Sequence, residues 1–384
     1  VATHTQITPW KRTFFLFLGH LLNDGYASFF APLLPLLIDR LDLSLAMAGL
    51  VGTIRILVNS LSQPWLGHLV DRAQGALLVA VGPLLTVCAM SLIGRVGSFK
   101  QLMALMIVAG IGTALFHPAA AALVAAGGGK NRGLMMAFFS SGGALGGAVA
   151  PLLIITFIGV LGMERTPWLI LPALFMLAAF ALALRRNLPP PGKKTFDRMR
   201  LRKLPRQLIL LWFVIVFRSM ASTAFASFLA VLITQRGASA LVGGAGISVF
   251  LFTGAVGGFF AGSLSDRFGR KVVIFTTVVL ATPFFLLFLH GPTNLMLPFL
   301  AAAGLFALSS TPVGVVAAQE ILPGKTGLVS GLVMGLAWGV GGLALTPIGF
   351  FADRYGLVPV MTAVALLPLI AGGLILFYRE GKRG

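Results

Sequence analysis

Long apolar runs separated by short polar breaks recur along the whole of this chain. Twelve can be read, at roughly 13–38, 45–66, 76–94, 101–126, 133–161 and 168–186, then 207–234, 241–262, 272–289, 295–318, 327–350 and 358–378. Each is 18 residues or longer, enough to carry a helix across the hydrocarbon core of a bilayer. One polar break is long. It opens as Asn187-Leu-Pro-Pro-Pro-Gly-Lys-Lys, runs on to Arg206, and leaves six apolar runs on either side. The pattern predicts an all-α polytopic membrane protein of twelve transmembrane helices. Its expected domains are an N-terminal six-helix bundle over 1–186, a basic cytoplasmic linker over 187–206 and a C-terminal six-helix bundle over 207–384.

The two halves repeat one another. The stretch Gly262-Ser-Leu-Ser-Asp266-Arg267-Phe-Gly269-Arg270-Lys271 joins two apolar runs, and a weaker copy, Gly67-His-Leu-Val-Asp71-Arg72, lies 195 residues earlier. His117-Pro118 answers Thr311-Pro312 at a distance of 194 residues, and Gly146-Gly147 answers Gly341-Gly342 at 195. Parallel repeats of six helices are the arrangement of a two-bundle transporter. Such bundles are related by a pseudo-twofold axis along the membrane normal, and the substrate site lies between them.

The frame G-x-L-x-D-R-x-G-R-K resembles the loop between the second and third helices of major facilitator superfamily transporters, repeated between the eighth and ninth. The C-terminal copy matches it throughout, whereas the N-terminal copy departs after Arg72, reading Ala73-Gln74-Gly75. The resemblance implies the major facilitator fold, and a gating role for Asp71, Arg72, Asp266, Arg267 and Arg270 at cytoplasmic helix ends.

Further stretches are similar to the fosmidomycin-resistance group of efflux proteins within that superfamily. They include His20-Leu-Leu-Asn23-Asp24, Gly110-Ile-Gly112-Thr-Ala-Leu-Phe116-His117-Pro118, Phe139-Ser-Ser-Gly142-Gly143, Gln319-Glu320-Ile-Leu-Pro323-Gly324 and Gly349-Phe-Phe-Ala-Asp353. After His117-Pro118 an alanine run, Ala119 to Ala122, replaces a polar continuation. What this likeness implies is proton-driven export of a small toxic compound. The stretch from Gly142 to Pro151 is similar to the fifth-helix signature of superfamily antiporters, without its Gly-Pro pair. Small residues at such spacing serve close helix packing as well as a hinge.

Composition agrees with the periodic pattern. The chain of 384 residues is 58% hydrophobic and 10% charged, where soluble domains carry roughly a quarter charged residues. The formal charge of +19 would suggest nucleic acid in a soluble protein; here it reads as topology, and no nucleic-acid partner is expected. With both termini cytoplasmic, 21 Lys and Arg fall inside and six outside (Arg40, Arg95, Lys100, Arg165, Arg236 and Arg354). That is the positive-inside asymmetry, which fixes the orientation; the expected location is a plasma membrane, or the inner membrane of a Gram-negative cell. The nine bases between Arg185 and Arg206, against Asp197 alone, suit anionic headgroups. A single Cys88 excludes a disulfide framework or a cysteine metal site. The first apolar run, after Lys11-Arg12, is too long for the core of a cleavable signal.

The remaining charges lie within the apolar runs, where they are costly and usually face a cavity. Asp24 lies mid-run in the first, Arg55 in the second and Arg218 in the seventh, with His20 and His117 beside them in kind. Helical spacing puts His20, Asn23 and Asp24 on one stripe, Arg55 and Asn59 on another, and Arg218, Ser219 and Ser222 on a third. Arg55, Arg218, Asn23, Asn59 and Ser222 are therefore the candidate substrate-binding residues. The guanidinium fork suits a carboxylate, phosphate or phosphonate, so an anionic or zwitterionic substrate is expected. Asp24, His20 and His117 are the candidates for proton coupling. Asp24 is expected to stay ionised against an arginine until substrate removes that partner, and histidine titrates near neutrality. Glu320 reads as a partner for a loop base.

The function these features support is a proton-coupled exporter working by alternating access. The alternative is an uptake symporter or uniporter for an organic anion on the same fold. No H-E-x-x-H pair, G-x-S-G motif or P-loop supports an enzyme or direct ATP drive. The expected partners are a small-molecule substrate, protons and membrane lipids, with no cofactor or metal and a monomer as the working unit.

Overall fold

The computed structural model describes residues 8–72, 75–127, 131–185, 204–323 and 329–380. Every regular element among them is helical. Twelve segments are long and apolar enough to cross a membrane: Pro9–Leu41, Leu45–Ser62, Leu78–Arg95, Phe99–Ala126, Gly133–Leu161 and Met163–Phe180, then Arg206–Gln235, Ala240–Phe268, Arg270–His290, Thr293–Ile321, Gly331–Tyr355 and Leu357–Ile375. They are referred to below as the first to twelfth spans. Residues 186–203, most of the predicted linker, lie outside the described residues.

Several spans are interrupted, and proline accounts for the first of these breaks. The first span consists of two helices, Pro9–Ala27 and Phe30–Leu41. Pro32 has no N–H to offer the Ser28 carbonyl, and its ring crowds that carbonyl, so the helix parts one turn before it. The Ser28 N–H turns back to the carbonyls of Asp24 and Gly25, both at 3.1 Å, and Ser28 Oγ donates to the Asp24 carbonyl at 2.7 Å. The eleventh span starts as a π-helical stretch, Gly331–Leu336, and continues as Ala337–Leu343 and Leu345–Tyr355. Such widened turns recur at functional positions.

The described chain packs as two compact units. The first contains residues 1–30 and 61–196, the second residues 31–60 and 197–384. Residues 31–60 thus pack with the C-terminal half. Asp353 explains one end of this: its Oδ1 accepts from the Leu45 N–H at 2.7 Å and its Oδ2 from the Ala46 N–H at 2.8 Å. Free N–H groups at a helix start favour a carboxylate for both hydrogen-bonding and dipole reasons. Further along, Thr53 Oγ1 donates to the Gly342 carbonyl at 2.9 Å and receives the Thr346 hydroxyl at 2.9 Å. A side chain at Gly349 would run into the Leu45 backbone, so glycine there is what lets the two helices approach. Duplication alone does not predict this exchange of a segment.

In each unit the interior is aliphatic and aromatic. Leu16, Phe116, Phe139 and Phe180 fill the first beside the candidate site. In the second, Phe225 stacks on Phe285 with ring centroids 3.9 Å apart.

The repeated loop is tighter than its sequence suggests. The eighth span runs helical through Phe268, so Asp266 and Arg267 sit on a helix end, and Gly269 alone separates it from the next helix. Gly269 has φ 99°, where a side chain would be strained, and its N–H closes on the Ser265 carbonyl at 3.1 Å.

Candidate functional site

The first, third, fourth and fifth spans meet around the Asp24 carboxylate. His20 and Asp24 are four residues apart on one helix, which places their side chains one above the other. His20 Nε2 lies 3.1 Å from Asp24 Oδ2. His117 arrives from the fourth span with its Nε2 3.0 Å from Asp24 Oδ1. The Asn23 amide nitrogen donates to the same Oδ1 at 2.9 Å. Asn23 is oriented by Thr86 on the third span, whose hydroxyl donates to Asn23 Oδ1 at 2.9 Å. With its oxygen accepting from Thr86, the amide is left to donate towards Asp24.

The fifth span fixes the His20 ring. The Phe139 carbonyl lies 2.9 Å from His20 Nδ1, and the Phe139 ring stacks on the imidazole at 4.4 Å. A carbonyl can only accept, so Nδ1 carries a hydrogen. The contact between Nε2 and Asp24 Oδ2 then requires a proton between them, held either by the imidazolium or by the carboxylic acid. His117 makes no such demand, because a neutral imidazole can donate from Nε2. The geometry of the His20–Asp24 pair therefore accommodates one shared proton.

Gly143 makes room for that pair. It stands four residues after Phe139, and a Cβ there would lie 2.7 Å from Asp24 Oδ2 and closer still to His20 Nε2. Gly142 and Gly146 meet the first span in the same way, at the backbones of Phe17 and Leu21. The glycine stretch thus serves close packing of the fifth span on the first. Asn23 is fully buried, while the Asp24 and His117 side chains keep 26% and 28% of their surface accessible. The cluster is therefore partly accessible on its Asp24 and His117 side.

The second unit holds the arginines. Arg218, 3% exposed on the seventh span, has one hydrogen-bond partner among the described residues, the Ala307 carbonyl at 3.2 Å from Nη1. Ser222 is turned back on its own helix, donating to the Ser219 carbonyl at 3.3 Å. Arg55 and Asn59 are half-buried on the second span, within the segment that packs with the C-terminal half. Asp24 takes its partners from histidine and asparagine, where the charge count pointed to an arginine. The physical reason is tertiary: His117 is 93 residues away, and helix packing brings it to the carboxylate.

The charged residues at the opposite end of the eighth span also converge. Arg270 Nη1 donates to Asp266 Oδ1 and to Ser265 Oγ, both at 2.5 Å, and Nη2 to Glu320 Oε1 at 3.1 Å. Glu320 does pair with a base of the repeated motif. Arg267 lies over the Phe268 ring, 5.3 Å from its centroid, and joins none of these contacts. Asp71 and Arg72 end the helix that begins at Leu45, and their side chains lie outside the described residues.

Sequence reasoning missed Thr86, the Phe139 carbonyl and the part played by Gly143. Thr86 has no local signal, the glycine stretch signals close packing without naming Gly143's neighbours, and a backbone carbonyl has no signal at any position.

A family model described as Major Facilitator Superfamily matches residues 16–211 and 211–383. Over 401 aligned residues the chain is 28% identical to the fosmidomycin resistance protein of Escherichia coli (strain K12), covering 100% of this chain and 97% of that one. It is 30% identical over 371 residues to an uncharacterized MFS-type transporter, YfnC, of Bacillus subtilis (strain 168), with 93% and 90% covered. Solved structures with a similar fold include a bacterial homolog of the human lysosomal transporter Spinster in an inward-facing and occupied conformation. It superposes with a TM-score of 0.79 at 17% identity, covering 97% of each chain. A mutant of the nucleoside transporter NupG gives 0.75 at 13% identity, covering 96% of this chain and 100% of that one.

Proposed function

Since the chain belongs to the major facilitator superfamily and is a multi-pass transport protein, we propose that it exports a small anionic or zwitterionic toxic compound in exchange for protons, by alternating access. The observation that carries this reading is the Phe139 carbonyl at His20 Nδ1, which leaves His20 Nε2 and Asp24 Oδ2 to share one proton. Losing that proton sets a carboxylate oxygen against a nitrogen lone pair at 3.1 Å, and the pair must part. A group whose contacts depend on one proton is what coupling needs. His117 and Asn23 still donate to Oδ1 in that state, so the carboxylate is never abandoned.

Arg218 and Arg55 supply the attraction for an anion. A buried guanidinium with a single carbonyl partner retains donors and charge for a ligand. Efflux, rather than uptake, is supported by the full-length relative whose name records fosmidomycin resistance. In the proposed topology both termini and residues 187–206 are cytoplasmic, the two six-helix bundles run 1–186 and 207–384, and the chain works as a monomer. Leu45 and Asp353 then lie at the outer ends of their spans, and the Asp353 cap holds residues 31–60 closed on the C-terminal half from outside. Asp266, Arg270 and Glu320 form the corresponding inner contact.

The test uses purified protein in liposomes with a pH gradient of either sign, preloaded with candidate organic anions and with fosmidomycin. An inward proton gradient should drive efflux from the compartment equivalent to the cytoplasm. Asp24→Asn should abolish the response to the gradient yet preserve substrate exchange. Full gradient-driven transport by Asp24→Asn would remove Asp24 as the coupling acid, and accumulation along the proton gradient would replace export by uptake.

A further inference from the structure

At one membrane end of the second unit, the start of the seventh span and the end of the twelfth enclose an open cavity of about 470 Å³. Its walls are Arg206, Gln207, Leu210, Phe377 and Arg379. We propose that it binds the phosphodiester headgroup of an anionic phospholipid, clamped between Arg206 and Arg379.

Four observations converge on that chemistry. First, neither guanidinium has a hydrogen-bond or ion-pair partner among the described residues, and both side chains are exposed. Nearby charges are already engaged elsewhere: Glu380 accepts from the Lys271 backbone N–H, and Lys271 Nζ donates to the Leu376 carbonyl at 2.6 Å. Second, the Gln207 side-chain oxygen accepts the Arg379 N–H at 2.9 Å, which ties the two helix ends together and turns the amide N–H₂ free to donate. Third, the seventh span begins at Arg206 behind Pro205 with no side-chain cap; the Leu208 and Ile209 N–H groups close on the Pro205 carbonyl, and those of Arg206 and Gln207, two of the lining residues, add a further attraction for an anion.

The fourth observation separates a lipid from a free anion. Phe377 is 72% exposed and Leu210 half-buried beside the arginines. Two arginines over an apolar wall match the junction of a charged headgroup and its acyl chains, whereas a free phosphate would leave Phe377 uncovered. Basic pockets between helix ends at a membrane face are suited to acidic headgroups. Only the membrane embedding of the chain is needed for this inference; the transported substrate and the coupling proton do not enter it.

The experiment is native mass spectrometry, with thermal unfolding in detergent as its second readout. The full chain is offered phosphatidylglycerol, phosphatidylcholine or inorganic phosphate. Phosphatidylglycerol should be retained over phosphatidylcholine by on the order of tenfold, and should raise the unfolding temperature. The double variant Arg206→Ala, Arg379→Ala should lose that preference, and Arg206→Lys, Arg379→Lys should restore part of it. Should the double alanine variant not survive purification, Arg379→Gln carries the same test, because the bond to Gln207 comes from the backbone. Equal retention of the two lipids, or an unchanged preference in the variants, would overturn the proposal. A thermal shift with inorganic phosphate equal to that with phosphatidylglycerol would also overturn it, making the site one for free anions.

Discussion

Asp24 and Arg218 stand 194 residues apart, the same offset that relates the two halves, yet their surroundings are opposite in kind. Around Asp24 the protein supplies two imidazoles and an amide, each placed by a different contact. Around Arg218 the described residues supply a single backbone carbonyl. His117 has Thr311 as its counterpart, so the second half has no imidazole to repeat the arrangement. A duplicated scaffold has diverged into one end that is saturated with partners and one that is left open. Saturation suits a group that must hold and release a proton in place. Openness suits a group that waits for a ligand.

The largest effect should come from closing the open end. Arg218→Ala removes the charge, and substrate affinity measured by binding should fall by about 2–5 kcal/mol, the range for truncating one partner of a buried charge pair. Arg218→Lys keeps the charge without the fork and should recover only part of it. Equal affinity in all three proteins would show that Arg218 is structural and end the contrast.

An intermediate effect is expected from crowding the saturated end. Gly143→Ala puts a methyl group 2.7 Å from Asp24 Oδ2. Relief requires that His20 and Asp24 separate or the fifth span retreat, at a stability cost of about 1–3 kcal/mol. Transport should lose its dependence on the pH gradient more than its substrate affinity. A variant that loses affinity alone would place the ligand, rather than the proton, at Asp24.

Thr86→Val is the mildest change. It removes the hydroxyl that orients Asn23 and keeps the shape, so thermal unfolding should show a loss of about 1 kcal/mol. The pH at half-maximal transport should move, because Asn23 can then turn its oxygen towards Asp24. An unmoved pH profile would leave Thr86 a packing residue.

Much of this contrast could be read from the chain before its structure. Apolar runs of sufficient length dictate spanning helices, and the half-chain offset dictates the duplication. His20 and Asp24 were visible as a pair because helical spacing of four is a local property. The convergence of His117 and Thr86 was not, since it depends on how the first, third and fourth spans pack. Charge counting alone favoured an arginine for Asp24 because it weighs sign and ignores distance. The packing of residues 31–60 with the C-terminal half was equally hidden: its determinants, Asp353 at Leu45 and Thr53 at Gly342, lie about three hundred residues apart in sequence.

The break in the first span has a consequence of its own. Ala27 is the last residue of one helix and Phe30 the first of the next, and the division between the two compact units falls after residue 30. The Asp24 carbonyl receives both the Ser28 N–H and the Ser28 hydroxyl. Asp24, the proposed coupling acid, therefore also anchors through its backbone the break between the two helices. Under the proposed coupling, the proton is thus taken up and released beside the break in the first span.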